Sequence, residues 1–133
     1  MNIKDNWLKL ADDNKMPQEG FGLYKVDGQK TMNNAIKAAY TAGYRLFDTA
    51  QLYGNEAEVG TAYKELQIPR DEVFLTTKVA EDNQGYDRTI ESVKETLKKL
   101  QTDYVDLLLV HWPIERAFFE TWRAFEDLKK QLA

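Results

Sequence analysis

The chain has 133 residues, 43% of them hydrophobic and 30% charged, with a net charge of −4 and a pI near 5.1. That balance suits one domain with a sizeable core and excludes a nucleic-acid footprint, because no basic excess exists to neutralise phosphates. The absence of cysteine excludes disulfides, thiolate metal sites and cysteine nucleophiles.

Residues 8–16, LKLADDNKM, predict a small hairpin: Leu8 and Leu10 alternate before the turn residues Asp12, Asp13 and Asn14. GFGLYKV, 20–26, predicts a short strand whose glycines allow close backbone approach. Thr31 is placed to cap a helix with Met32, Ala35, Ile36 and Ala39 on one face, ended by Gly43. YRLFDTA, 44–50, is the next strand. Asn55 then caps EAEVGTAYKELQI, with Glu56 and Glu58 suited to a helix N-terminus and Pro69 as the stop.

VFLTTKV, 73–79, is strand again, and Asp87 opens a helix in which Ile90, Val93, Leu97 and Leu100 recur at spacings of three and four. YVDLLLVHW, 104–112, is the most continuously apolar segment, as buried parallel strands are. Pro113 ends it, and FFETWRAFEDLKKQL predicts a fourth helix running to the end of the chain. Lys98-Lys99 and Lys129-Lys130 read as solvated helix ends.

The order is thus βα repeated four times after a hairpin. Strand starts at Tyr44, Val73 and Tyr104 lie 29 and 31 residues apart, close to one βαβ unit. Such alternation implies a parallel sheet under helices, either a barrel or a doubly wound open sheet. GFGLYKVDGQK holds no G-x-G-x-x-G phosphate loop, which disfavours the open, flavodoxin-like sheet. The longest apolar run, LLLV at 107–110, cannot span a bilayer. MNIKDNWLKLADDNK lacks the apolar core of a signal peptide, so the expected location is the cytoplasm.

Three strands carry an awkward polar residue at one end: Asp48 closes RLFD, Lys78 closes FLTTK and His111 closes DLLLVH. All three fall at the C-terminal ends, where parallel α/β folds place their chemistry. Tyr53 lies in the loop leaving the strand of Asp48, on the same rim. Each residue has an ordinary reading alone: a turn aspartate, a packed loop tyrosine, a snorkelling lysine, a satisfied histidine. A single site accounts for all four positions together.

The set describes proton transfer at an oxygen bound to carbon. A phenol is a poor acid at neutral pH, and a neighbouring ammonium such as Lys78 favours its phenolate form. Asp48 can pair with Lys78 and offset its charge, and His111 can orient a substrate oxygen. No nucleophile or carboxylate pair suggests a covalent or glycosidase mechanism. His111 is the single histidine, with no carboxylate pair one helical turn away, so no metal is expected.

GYRLFDTAQLYGNEAEVG, 43–60, resembles the first signature of the aldo-keto reductases, through Gly43, Arg45, Asp48, Ala50, Glu56 and Gly60. FLTTKV and DLLLVHWP are similar to that family's lysine and histidine segments, KMPQEGFGLYKVD to its opening strand and TWRAFEDL to its fourth helix. The resemblance implies a (β/α)₈ barrel of the TIM type that reduces aldehydes or ketones with NADPH. It implies Tyr53 as general acid, Lys78 as the group tuning it, Asp48 as partner of Lys78 and His111 as the residue orienting the carbonyl. It also implies Gly22, Leu23, Tyr24 and Asp48 beside the nicotinamide ribose, with Tyr24, His111 and Trp112 against a small carbonyl substrate.

A complete barrel of this type needs eight βα units and roughly 250 residues. Residues 1–133 therefore correspond to the N-terminal half, and a truncated form is expected. The family's Gly-x-Ser-Asn strand and Lys-Ser…Arg segment do not occur in the sequence. A half barrel leaves strand edges unpaired and its inner sheet face uncovered, which invites self-association. The alternative expectation is accordingly a catalytically silent half-barrel acting as an assembly unit.

Overall fold

The computed structural model describes residues 3–132. A two-stranded antiparallel hairpin, β1 (Trp7–Lys9) and β2 (Lys15–Pro17), precedes a four-stranded parallel sheet. Its strands β3 (Gly20–Gly22), β4 (Leu46–Asp48), β5 (Phe74–Val79) and β6 (Leu107–Val110) lie side by side in chain order. Helices α1 (Gln29–Ala42), α2 (Glu56–Glu65), α3 (Tyr86–Leu100) and α4 (Phe118–Leu132) each pack on the next. This is the βα succession of a partial (β/α)₈ barrel.

Strand alternation sends successive side chains to opposite sheet faces. Phe47 and Leu75 point outward and pack with Met32 and Ile36 of α1 and Val59 and Ala62 of α2. Each large side chain so buried contributes about 1.5–3 kcal/mol. Val79 joins a second cluster with Val93 of α3 and Leu128 of α4, against which Leu108 is packed. The opposite face carries Gly22, Asp48, Thr76 and Lys78, so one core-forming pattern also delivers the polar residues to one side.

Several expectations shift. The strand predicted over 20–26 ends at Gly22, because Leu23 drops into the core and Lys25 turns the chain at φ 63°. Thr31 is not a cap: α1 begins two residues earlier, after Gly28 at φ 85°. Gly43 does end α1, at φ 108°, its N–H donating to the carbonyls of Ala39 and Tyr40. Helix α2 stops at Glu65, short of Pro69, and Gln67 at φ 57° makes the exit. Helix α3 starts at Tyr86 behind Gly85, one residue before Asp87.

The largest difference is β6. It spans 107–110 instead of 104–112, and no residue in it is fully buried. It is the edge of the described sheet, so its inner-face Leu109 stays 37% exposed. The inner face is not uniformly open, however: Leu46, Phe74 and Thr76 are buried. Gly20 makes that possible, since a β-carbon there would come within 2.6 Å of Leu46 Cδ2. Ala133, the expected end of the last helix, lies outside the described residues.

Candidate active site

Asp48 ends β4 in register with Gly22 on β3 and Thr76 on β5. Lys78 stands two residues beyond Thr76 on the same face. Past Asp48 the chain buries Thr49 and Ala50, then makes a 3₁₀ turn over Gln51–Tyr53 closed by Gly54 at φ 68°. A left-handed residue suits glycine there, and the turn folds Tyr53 back over the strand ends.

Lys78 Nζ donates to Asp48 Oδ1, to the Thr49 carbonyl at 3.1 Å and to the Tyr53 hydroxyl at 3.2 Å. An ammonium has three N–H groups and accepts nothing, so all three are committed. The Tyr53 hydroxyl therefore accepts from Lys78 and keeps its own proton for another partner. The Lys78 side chain is only 14% exposed, and Asp48 is 32% exposed. This is a shielded pair opening onto a wetter rim.

His111 follows β6, its N–H donating to the Val79 carbonyl at 3.2 Å. Its ring meets that of Tyr53 edge-on, centroids 5.8 Å apart, and stacks on Trp112 at 6.3 Å. His111 Nδ1 is buried without a hydrogen-bond partner among the described residues. Gln84 holds the loop carrying Trp112, donating to the Trp112 carbonyl at 2.5 Å and accepting from the Ile114 N–H at 3.0 Å. Tyr24 approaches Tyr53 from the other side, centroids 5.0 Å apart. Tyr24 and Trp112 are both mostly exposed, two aromatic walls around Tyr53.

The structure thus brings Asp48, Tyr53 and Lys78 into hydrogen-bonding contact and sets His111, Tyr24 and Trp112 around them. Leu23 differs: its side chain is fully buried, its N–H donates to the Asp48 carbonyl, and its carbonyl accepts from Asn55. Its nearness to a ligand could involve only the backbone around it. Gly22 faces open space, with nothing within 4 Å of where a β-carbon would stand. That open space lies beside Asp48, the register neighbour of Gly22 on β4.

Sequence reasoning set Asn55 and Glu56 at a helix start and missed what they do behind the rim. Asn55 holds the right position at the start of α2, yet its side chain makes no cap bond. It accepts from Thr49 Oγ1 at 2.6 Å and donates to the carbonyls of Leu23 and Val26, tying the Tyr24 loop to the strand end. Glu56 is buried and accepts from Thr77 at 2.7 Å and Thr96 at 3.1 Å. Burial pushes its carboxyl above the usual glutamate range, and the two threonines partly offset that. One signal was legible: Thr96 sits three residues after Val93 and four before Leu100, a hydroxyl on an apolar helix face.

Residues 20–131 match the model of the Aldo/keto reductase family. A glyoxal reductase of Bacillus subtilis is 42% identical over 129 residues, covering 97% of this chain and 46% of that protein. An aldo/keto reductase of Brucella melitensis, known by crystal structure, superposes with a TM-score of 0.87 at 46% identity, covering 94% of this chain and 49% of the other. A Bombyx mori aldo-keto reductase crystallised in complex with NADP superposes at a TM-score of 0.82 and 31% identity, covering 94% and 47%. The chain belongs to the aldo/keto reductase family, a family of oxidoreductases. It spans about half the length of the curated relatives it matches.

Proposed function

We propose that this chain carries the proton-transfer centre of an NADPH-dependent reductase of small aldehydes and ketones. The observation that carries the reading is the saturated Lys78 ammonium, which leaves the Tyr53 proton uncommitted. Tyr53 gives that proton to the carbonyl oxygen, and Lys78 stabilises the phenolate left behind. Asp48 balances the lysine charge and keeps it aimed. His111, with Nδ1 buried, offers Nε2 to the same oxygen and fixes the carbonyl between itself and Tyr53. Trp112 and Tyr24 exclude water on either side.

When bound, a reduced nicotinamide supplies the hydride that the carbonyl carbon receives. Gly22, which leaves open space, and Asp48, with Oδ1 on Lys78, would be the residues that hold it. The name of the Bacillus relative points to dicarbonyls such as glyoxal as the substrate class. The test is a fluorescence titration of the chain with NADPH, followed by glyoxal reduction with and without Tyr53→Phe. Saturable binding and turnover that falls about 10³-fold in the variant support the reading. Turnover unchanged by Tyr53→Phe sinks it.

The second reading, a silent half-barrel that assembles with a further copy, is favoured by Leu109, Phe119 and Trp122. These large side chains are exposed on β6 and α4. Self-association without any NADPH affinity in the same titration would select it.

A further inference from the structure

Tyr53 and Lys78 sit on different elements, a 3₁₀ turn and a strand, and their 3.2 Å contact depends on how those elements are registered. Gln51 opens that turn, two residues before Tyr53. Its Oε1 accepts from the Ala80 N–H at 2.9 Å and from Asn83 Nδ2 at 2.8 Å. Its Nε2 donates to Ser92 Oγ and Thr96 Oγ1, each at 3.1 Å. A primary amide has two donors and two lone pairs. Gln51 uses all four, on two partners just beyond β5 and two on α3.

The connection then continues inward. Thr96 Oγ1 donates to Glu56 Oε1 at 3.1 Å, and Glu56 Oε2 accepts from Thr77 Oγ1 at 2.7 Å. Thr77, Thr96 and Glu56 are all buried, at 0, 2 and 4% exposure, so this arm is shielded from water. The two arms from Gln51 reach the β5 segment at Ala80 and at Thr77, on either side of Lys78. Directional bonds in a dry setting hold position better than apolar packing alone, because an unmade bond there leaves a buried polar group unpaired.

We propose that Gln51, acting through Ala80 and through the Thr96–Glu56–Thr77 arm, is the positioning residue that sets Tyr53 against Lys78. The inference rests on the reading that Tyr53 and Lys78 form the proton-transfer pair. Gln51 touches no reacting atom. Its role is to fix the distance across which Lys78 stabilises the phenolate.

Two substitutions separate the arms. Gln51→Met keeps the length and removes all four bonds, whereas Gln51→Glu keeps the acceptor for Ala80 and Asn83 and loses the donors to α3. Amide hydrogen exchange is read first, since it needs no turnover. In Gln51→Met the Ala80 and Tyr53 N–H groups should exchange about tenfold faster or more, with Leu75 and Val59 unchanged and Gln51→Glu between. Steady-state glyoxal reduction should show kcat lowered about 10–100-fold in Gln51→Met with KM within about threefold, and Gln51→Glu again between.

Wild-type exchange at Tyr53 in Gln51→Met overturns the inference, as does accelerated exchange with wild-type kcat. If the wild-type chain shows no turnover, the proposed function fails, and exchange at Tyr53 alone decides whether Gln51 couples the two elements. Should Gln51→Met not fold, Thr96→Val cuts the inner arm at an isosteric position and is judged by the same two readouts.

Discussion

The two rims of the sheet each hold a cation and a carboxylate, and they use them differently. At the N-terminal rim, Arg70 donates to Thr102 Oγ1, to the carbonyls of Val73 and Tyr104 and to Asp106 Oδ2, all within 3.0 Å. Its guanidinium also lies over the Tyr104 ring at 4.0 Å, and Asp106 Oδ2 accepts from the Leu75 N–H at 2.8 Å. Every partner there is backbone or a side chain that pins a loop to β5. At the C-terminal rim, Lys78 makes three bonds and one ends on a hydroxyl facing the opening. A rigid fork closes a structure; a point charge beside a phenol leaves a proton to be used.

Replacing each cation should therefore separate activity from stability. Lys78→Met is expected to lower carbonyl reduction by about 10³-fold or more. Its unfolding free energy in urea should stay within about 1 kcal/mol of wild type, because Asp48 reaches water once unpaired. A variant that keeps its turnover would break the comparison, and so would one that unfolds.

Arg70→Lys sharpens the other side, with a smaller effect. An ammonium keeps the charge but cannot span four partners. A loss of about 1–2 kcal/mol of stability is expected from the unmade bonds, with kcat of the folded protein unchanged. Equal urea midpoints for the two proteins would show that charge alone, not the fork, holds the loop before β6.

The same contrast explains what could be read from the sequence. Asp48, Lys78 and His111 were visible because each interrupts an apolar run at its end, where a parallel fold gathers such residues. The βα succession was visible because helix and strand periods differ. Arg70 was not visible, since its partners lie 3 to 36 positions away in loops without periodicity. Gln51 was hidden for the same reason, its bonds reaching 29 to 45 positions along the chain. Apolar composition also misled for β6, where hydrophobicity marked a strand without marking how many neighbours cover it. The shortened β3 needed Asn55, whose side chain takes two loop carbonyls in place of a helix cap.

Glu56 lies between the two arrangements: a buried carboxyl, 4% exposed, held by threonine hydroxyls instead of a bonded cation. Burial raises its carboxyl above the usual value of 4.5, so the folded state keeps that proton at a pH where the unfolded chain has released it. Its contribution to stability is then fully present below about pH 4.5 and is lost as pH rises through the raised folded value. The neutral amide of Glu56→Gln would have no such dependence. The stability of wild type relative to that variant should fall as pH increases from about 4 to 8, measured as urea midpoints of both proteins at each pH. A difference that stays flat over that range would mean the carboxylate is as well solvated by Thr77 and Thr96 as by water. Hydroxyl donors would then stabilise a buried charge at one rim as fully as Arg70 does at the other.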